Sequence, residues 1–513
     1  MTAEQDGGSL LGLPGVRRQL HSMAADLAAG LNCLWLLPDH LVDTGHAEEL
    51  YRAALHSAPD RLDIRPPEVL PLPAPRTPET GEAVPGASQH DGDRAWDRDA
   101  VEIWEGDDAW DSLPDLDFDD GFDIGWTVAA PVPARPRPLE HAMPELFERL
   151  GKELAVSPTE VIERLAVRGS RWRPVVGLRA WCETDEAASG PSGAPAPGRG
   201  SAVERLLRSL TAAVKEAGLS PSERPRLLVV ARLRDLPPSL VDELDRDIAT
   251  TAVHWWWGTV GRLDTALVVA ADRPPSSGGT PEHRILKAVR EETIAELASF
   301  DLALARRLTA EWDGTTRRLD AVLRRCVDSV PAADARACPE ALFGRGTPRR
   351  PGSLLRQAWA RGVVQSWEGR LRHHPARWYA EGTPGEPPEL SVAVGQAQQR
   401  VVLPWIEDAR EQLARLGLGY ATRPLGVLVA EFSARPPADL GNRARQAFLE
   451  LEVGSLLAAY HGDGIAFPAE ELALLKLLVK VRNILSHREA LRDHTLRTLC
   501  DELTSAHRRW AKL

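Results

Sequence analysis

The chain has 513 residues, of which 62 are lysine or arginine and 74 are aspartate or glutamate, so its formal net charge is −12. A chain of this length exceeds what one hydrophobic core supports, and the acidic balance argues against a protein that coats nucleic acid without specificity. The sequence has no apolar run of about 18 residues, which argues against a membrane span, and no basic and apolar leader, which argues against secretion. Its five cysteines are odd in number and form no CxxC pair, which argues against a disulfide framework and a zinc site. We therefore expect a cytoplasmic protein that does not contact the membrane and holds no metal or other cofactor.

The first predicted unit, residues 1–65, begins an α/β domain. The apolar run SLLGL predicts a short strand, RRQLHSMAADLAAGL has the spacing of an amphipathic helix, and NCLWLLP predicts a buried strand. Residues 66–138 then interrupt the domain with a proline-rich stretch followed by an acidic one, a composition typical of a disordered insertion.

The acidic stretch of this insertion accounts for the net charge of the chain. Between Asp91 and Asp123 there are fourteen acidic and two basic residues, so the rest of the chain is close to neutral. Tryptophan and phenylalanine side chains stand among these carboxylates in residues 91–126. Such a pattern is typical of a segment that docks on a basic, apolar groove of a protein partner, and it is equally compatible with a solvated linker.

The remaining sequence predicts more of the α/β domain and then helices, so the expected fold class is α/β plus all-α. Residues 139–186 predict a small helical segment and residues 187–202 a low-complexity linker. Residues 203–280 predict the second part of the α/β domain, in which an amphipathic helix is followed by buried strands in RLLVVA, TAVHWWWG and DTALVVAAD, an alternation that favours a parallel sheet. Residues 281–389 predict a helical middle region, and residues 390–513 predict four consecutive helices with short connections, which is typical of an antiparallel bundle.

The segment GLPGVRRQ, which runs from Gly12 to Gln19, follows the first predicted strand and opens a helix, as a phosphate-binding loop with the pattern GxxxxGK[ST] does. Gly12 and Gly15 fit that pattern, whereas Arg17 and Arg18 replace its second glycine and its lysine. The segment resembles the P-loop ATPases of the AAA or STAND kind as a degenerate copy. The predicted strand RLLVVA also indicates a degenerate copy, because Arg232 follows it at the position where the family has the acidic residue linked to magnesium. The resemblance implies that ATP hydrolysis is lost.

Three interpretations of this glycine segment are open. The domain is an inactive ATPase fold that is kept as a scaffold, or it binds nucleotide without turnover, with Arg17 and Arg18 as phosphate partners at a helix N-terminus. In the third interpretation, Gly12 and Gly15 form only a turn at the start of a helix and have no relation to ATPases.

The segment VRNILSH, from Val481 to His487, ends a leucine-rich helix and places Arg482, Asn483 and His487 close together. Imidazoles exchange protons near neutral pH, and a guanidinium stabilises the charge that develops on a phosphate, so the two residue types suit RNA cleavage at a 2′-hydroxyl. An arginine and a histidine at a helix end can also simply complement the helix dipole and cap its carbonyl groups.

The predicted bundle with this motif resembles the HEPN superfamily, whose signature is an arginine, usually a small polar residue, and a histidine a few residues later. The resemblance covers residues 390–513 and implies a metal-independent endoribonuclease that acts as a homodimer on RNA. It also implies that His487 is the general acid and base, that Arg482 stabilises the transition state and that Asn483 orients the histidine or the phosphate. HEPN-like bundles also occur as non-catalytic dimerisation or RNA-binding modules.

An ATPase-like module joined to a HEPN-like bundle resembles toxins and antiviral defence proteins, which is an analogy of architecture. The function expected from the sequence is therefore that of a defence protein whose degenerate ATPase-like domain controls a C-terminal ribonuclease. The alternative is a non-enzymatic adaptor that recruits a separate effector through residues 91–126 and the bundle.

Overall fold

The computed structural model describes residues 9–67, 143–183, 200–271, 280–327, 330–336, 349–380 and 385–512. The predicted docking segment 91–126 lies outside these residues, as do almost all of the insertion 66–138 and most of the linker 187–202. The described part of the chain combines a parallel sheet with many helices, which confirms the mixed fold class.

The described residues form a five-stranded parallel sheet with the strand order β2–β3–β4–β1–β5. The strands are β1 Asn32–Leu36, β2 Arg61–Asp63, β3 Val175–Arg179, β4 Arg226–Ala231 and β5 Thr251–Trp255. Strands β1 and β3 are buried along their whole length, as expected for parallel strands that are covered on both faces. The predicted strands in NCLWLLP, RLLVVA and TAVHWWWG are thus confirmed as β1, β4 and β5.

Helices pack against this sheet and complete the first hydrophobic core. They are α1 Pro14–Ala28, α2 Asp39–Asp43, α3 His46–His56, α4 Glu145–Leu154, α5 Val161–Leu165, α6 Ser201–Glu216, α7 Pro238–Arg246 and α8 Arg262–Ala271. The three consecutive tryptophans that end β5 and follow it, Trp255–Trp257, are all buried in this core.

Three local predictions in this region are wrong, and one strand was not predicted. The run SLLGL is not a strand, because Leu10–Gly12 is a 3₁₀ turn that Ser9 caps. Strand β3 lies inside the segment 139–186 that was expected to be helical, strand β2 was not predicted, and DTALVVAAD belongs to helix α8. The three wrong predictions have one physical reason: a short apolar run packs equally well as a buried strand or as one side of a buried helix. Strand β2 was missed for another reason, because its three residues form no apolar run.

The middle region is mostly helical but also contains a hairpin. Its elements are α9 Pro281–Ala298, α10 Leu302–Glu311, α11 Thr316–Cys326, α12 Ala332–Arg336, α13 Arg356–Ala360, β6 Val364–Trp367, β7 Arg370–His373 and α14 Ala376–Ala380. The antiparallel strands β6 and β7 were not predicted. Glu368 and Gly369 connect them with φ of 52° and 72°, the left-handed pair that a tight two-residue hairpin turn requires.

The C-terminal helices surround a second hydrophobic core. They are α15 Pro388–Tyr420, α16 Leu425–Phe432, α17 Leu440–Leu449, α18 Val453–His461, α19 Ala469–Ser486 and α20 Asp493–Trp510. Helix α9 packs against α15 and α20, and α19 packs against the same two helices, so these four helices form a ring. We refer to α9, α15, α19 and α20 as the helical assembly. The helical assembly therefore includes α9, which lies outside the predicted bundle of residues 390–513.

A charged network on α9 joins the two cores. The carboxylate of Glu296, whose side chain is only 2% exposed, contacts Arg262 of α8 (2.5 Å), Arg372 of β7 (2.8 Å) and Arg400 of α15. Burial alone would raise the pKa of Glu296, but the three guanidinium groups outweigh it and hold that pKa below its ordinary value. The sheet region, the hairpin and the helical assembly thus meet at one buried carboxylate.

Candidate functional site

The predicted phosphate loop is a packing contact in the structure. Gly15 is buried at the start of α1, and its N–H donates to Oδ1 of Asp264 (2.9 Å). A Cβ at this position would lie 1.9 Å from the carbonyl oxygen of Thr259, so only glycine allows the approach of α1 to this segment. A phosphate loop would instead offer that N–H to its ligand.

The other residues of the predicted loop lie at the surface. Gly12, Arg17 and Arg18 are exposed, and the only hydrogen bond of the Arg17 side chain in the described residues goes to the carbonyl oxygen of Leu11 (3.1 Å). Helix α1 also precedes β1, whereas a phosphate loop follows a strand. Of the four predicted nucleotide-binding residues, Gly15 is therefore buried and the other three are exposed, and the expected strand before the loop is a 3₁₀ turn.

The carboxyl ends of the strands are where α/β sheets bind ligands, and here charged side chains pair with each other. Arg232 follows β4 and forms two contacts with Asp235, Nε to Oδ2 at 2.9 Å and Nη2 to Oδ1 at 3.0 Å. Asp43, in the segment after β1, lies 3.3 Å from Arg232 and 3.4 Å from Arg234. Burial raises the pKa of Asp39 although Arg234 and Arg232 act against it. These pairs occupy the edge that a nucleotide would use, and sequence reasoning did not find the partners on α2.

The three residues of the C-terminal motif lie at the surface where α19 ends. The Arg482 side chain is 43% exposed, and one guanidinium nitrogen lies 3.0 Å from Oε2 of Glu452, the N-cap residue of α18, whose side chain is 66% exposed. Asn483 and His487 are exposed, and within the described part of the chain the Asn483 amide and the His487 imidazole form no hydrogen bond. The fold therefore does not use these two side chains to cap carbonyl groups.

Helix α19 ends in a Schellman motif beside His487. The N–H of Glu489 donates to the carbonyl of Ile484 (3.3 Å), and the N–H of Arg488 donates to that of Leu485 (3.0 Å). Arg488 has φ of 60° in this motif, a left-handed conformation that glycine normally supplies. A non-glycine residue in this conformation costs about 1–2 kcal/mol, so the chain keeps a cationic side chain next to His487 despite local strain.

The connection between α19 and α20 is fixed by helix α15. The buried amide of Gln398 donates from Nε2 to the carbonyl of Leu491 (3.1 Å) and accepts from the N–H of Leu491 (2.6 Å). Gly395 lies one turn earlier on α15, and a Cβ there would lie 2.9 Å from the carbonyl oxygen of Arg488. The main chain after His487 therefore has a defined position, and sequence reasoning missed both supporting residues.

The helical geometry decides which motif residues can act together. With roughly 100° per residue, Asn483 and His487 lie about 40° apart around α19, whereas Arg482 and His487 lie about 140° apart. Asn483 and His487 therefore share a face, and Arg482 lies on a different face of the same helix.

The described residues form neither a metal site nor a membrane-spanning helix. Among the described residues, no group of three or more histidine, cysteine, aspartate or glutamate side chains is arranged to hold a metal ion, and their helices are all too short or too polar to cross a membrane. No family model matches the chain, and no curated protein and no solved structure matches it.

Proposed function

We propose that the exposed end of α19 is a metal-independent RNA-cleaving site that two copies of the chain complete together. The observation that carries the proposal is the position of Arg482, Asn483 and His487 at the surface where α19 ends, with the Asn483 and His487 side chains unused by the fold in the described residues. Residues kept at a surface without a structural task are candidates for binding or catalysis. The ring of α9, α15, α19 and α20 supports a HEPN-like antiparallel bundle as the scaffold of this site.

The chemistry follows from the residue types. One His487 takes the proton from a ribose 2′-hydroxyl, and the 2′-oxygen attacks the adjacent phosphorus while the bond from phosphorus to the 5′-oxygen breaks. The imidazolium formed in this way gives that proton to the leaving 5′-oxygen, so the products are a 2′,3′-cyclic phosphate and a 5′-hydroxyl. Arg482 stabilises the charge that develops on the phosphate oxygens. Because Arg482 and His487 of one chain lie on different faces, we infer that the arginine of one copy works with the histidine of the other.

In this proposal, the sheet domain acts as a scaffold that does not hydrolyse nucleotide. The N–H of Gly15 is held by Asp264, and the charged residues Arg232, Arg234 and Asp43 pair with one another or with Asp235 at the carboxyl edge of the sheet. Groups that satisfy each other inside the protein have little left to offer a phosphate and a magnesium ion. The charged network at Glu296 would transmit changes in the sheet region to the helical assembly.

A second candidate function, a non-enzymatic adaptor, is favoured by the contact between Arg482 and Glu452. A carboxylate 3.0 Å from the guanidinium competes with a phosphate for the same donors. If the bundle is only a scaffold, this ion pair is its normal state. If it is a nuclease, the exposed Glu452 is displaced by RNA, and Glu452→Gln should increase cleavage.

A cleavage assay separates the two candidates. The purified full-length chain is incubated with a fluorogenic RNA in EDTA, alongside His487→Ala, Arg482→Ala and, as a matched control, His461→Ala, which changes an exposed histidine at the end of α18. We expect cleavage by the native chain and by His461→Ala. The other two variants should lose about 10²-fold or more, since proton transfer by His487 contributes about 10²–10⁴ in rate and loss of a charge-stabilising donor such as Arg482 costs about 10²–10³. Intact RNA with every protein, or equal cleavage by His487→Ala, would favour the adaptor.

A role in antiviral defence is proposed from the architecture alone. Expression of the native chain in a bacterial host should slow growth, and His487→Ala should restore it. Equal growth with both proteins would argue against a toxic ribonuclease in that host.

A further inference from the structure

A cleft lies where α9, the segment that leads into α11 and the start of α20 meet. Two adjoining cavities of about 450 and 920 Å³ form it, and both are lined by Asp313, Thr315, Asp493 and Arg497. Each volume lies in the usual range of small-molecule sites, about 300–1,000 Å³. Helices α9 and α20 belong to the helical assembly, whereas α11 packs in the first core, so a ligand in the cleft would contact both parts.

The cleft gathers cationic side chains that the protein leaves unpaired. Arg317 of α11 and Arg492 and Arg497 at the start of α20 line the larger cavity and are exposed. In the described residues, no carboxylate lies within 4 Å of these three guanidinium groups. Asp501, one turn beyond Arg497, lines the same cavity but lies farther away than that. Cations held together without counter-charges repel one another and attract an anion.

The two carboxylates that line both cavities are already engaged. Asp313 accepts from the N–H of Thr315 (2.9 Å) and pairs with Arg318 (3.0 Å). Asp493 accepts from the N–H and the hydroxyl of Thr316 (3.1 and 3.0 Å), which fixes the start of α11 against α20. These contacts shape the cleft and leave its arginines available, and guanidinium groups match phosphate oxygens with two parallel hydrogen bonds.

The smaller cavity adds an apolar wall. Leu286 and Val289 of α9 and Leu496 of α20 line it, and Val289 and Leu496 are each 6% exposed. Lys287 of α9 also lines it. A planar ring can therefore lie on apolar side chains while charged groups attached to it reach the arginines of the adjoining cavity.

We propose that this cleft binds a nucleoside polyphosphate, with its base on Leu286, Val289 and Leu496 and its phosphates at Arg492 and Arg497. A small molecule suits the smaller cavity better than an RNA strand does, because α9, the 313–316 segment and α20 enclose it on three sides. The bound nucleotide would contact both the middle region and the helical assembly. The site is separate from the predicted loop at residues 12–19, and its existence does not depend on RNA cleavage.

Isothermal titration of the full-length chain with ATP and GTP tests the proposal. We expect one of the two to bind, and Arg497→Gln to weaken that binding at least tenfold because a charge-assisted bidentate contact is lost. Arg508→Gln is the matched control, because it changes an exposed arginine near the other end of the same helix. Arg18→Ala and His487→Ala should both leave the affinity unchanged. If Arg497→Gln does not fold, as judged by circular dichroism, Arg492→Gln replaces it with the same expected loss.

Two further probes test the two halves of the ligand. Inorganic tripolyphosphate, which has no base, should bind more weakly than the preferred nucleotide, and Leu286→Ala should reduce that difference. The proposal is overturned if neither ATP nor GTP binds, if Arg497→Gln and Arg492→Gln bind as well as the native chain, or if Arg18→Ala abolishes binding. Binding of a short RNA that depends on Arg497, without binding of either nucleotide, would assign the cleft to RNA instead.

Discussion

The substitution Gly15→Ala distinguishes a packing contact from a phosphate loop. A Cβ at this position would lie 1.9 Å from the carbonyl oxygen of Thr259 and 2.7 Å from Oδ2 of Asp264, so α1 and the facing segment must separate. Overpacking of this kind costs about 1–3 kcal/mol, and separation weakens a buried charge-assisted hydrogen bond of about 1.5–3 kcal/mol. We expect the free energy of unfolding of the sheet region to fall by roughly 3–5 kcal/mol.

The matched control is Gly12→Ala. Nothing lies within 4 Å of a Cβ at residue 12, so this change should alter stability by no more than about 0.5 kcal/mol. Guanidinium unfolding followed by tryptophan fluorescence suits the comparison, because Trp35 and Trp256 are buried in the same core with ring centroids 6.0 Å apart. Equal unfolding midpoints for the two variants would refute the packing explanation. Loss of nucleotide binding in both variants, with the fold retained, would favour the phosphate loop.

Three more predictions concern the helical assembly and its supports. Glu296→Gln leaves three guanidinium groups around a neutral amide and should destabilise the protein by roughly 3–5 kcal/mol. The pKa of Glu296 is lowered in the folded state, so the stability that its carboxylate contributes is present above the ordinary pKa of 4.5 and is lost as the pH falls below that value. The thermal unfolding midpoints of the native and variant proteins should therefore converge in acid. A difference that stays constant from pH 7 to pH 3 would contradict this. Gln398→Leu removes both hydrogen-bond partners of the Leu491 main chain, so it should lower the free energy of unfolding by roughly 2–4 kcal/mol and reduce RNA cleavage. Gln399→Leu, on the same helix, should do neither. Equal unfolding free energies for the two variants would exclude this role of Gln398. Arg488→Gly relieves the strain of the positive φ, so it should raise the free energy of unfolding in chemical denaturation by about 1 kcal/mol. The same change removes a positive charge beside His487 and should weaken RNA binding. Unchanged RNA binding would show that Arg488 does not contact the RNA.

The sequence predicted those strands whose apolar runs are bounded by clear turns. β1, β4 and β5 belong to this group, whereas β2 has only three residues and no periodicity to detect. The runs VVGL in β3 and ALVVAA in α8 are both short and apolar, and only the neighbours in the folded protein decide that one is a strand and the other part of a helix. Local patterns cannot contain that information.

The candidate sites show the same division between local and distant information. The position of Arg482 and His487 at a helix end follows from the leucine-rich pattern before them, and the structure places α19 there. Nothing near Gly15 in the sequence reveals that Asp264, 249 residues away, holds its N–H. In the same way, α9 joins α15, α19 and α20 only through tertiary packing. The bundle predicted to begin at residue 390 therefore lacked one of the four helices of the helical assembly.

A mixing experiment tests most directly whether two copies share one cleavage site. Arg482→Ala and His487→Ala are purified separately, combined at equal concentration, allowed to exchange subunits and assayed for RNA cleavage. A pair of unlike chains retains one Arg482 and one His487 on opposite copies, so we expect the mixture to recover cleavage well above that of either variant alone. A mixture no more active than the sum of its two components, prepared from chains shown to exchange, would contradict a site built from both copies.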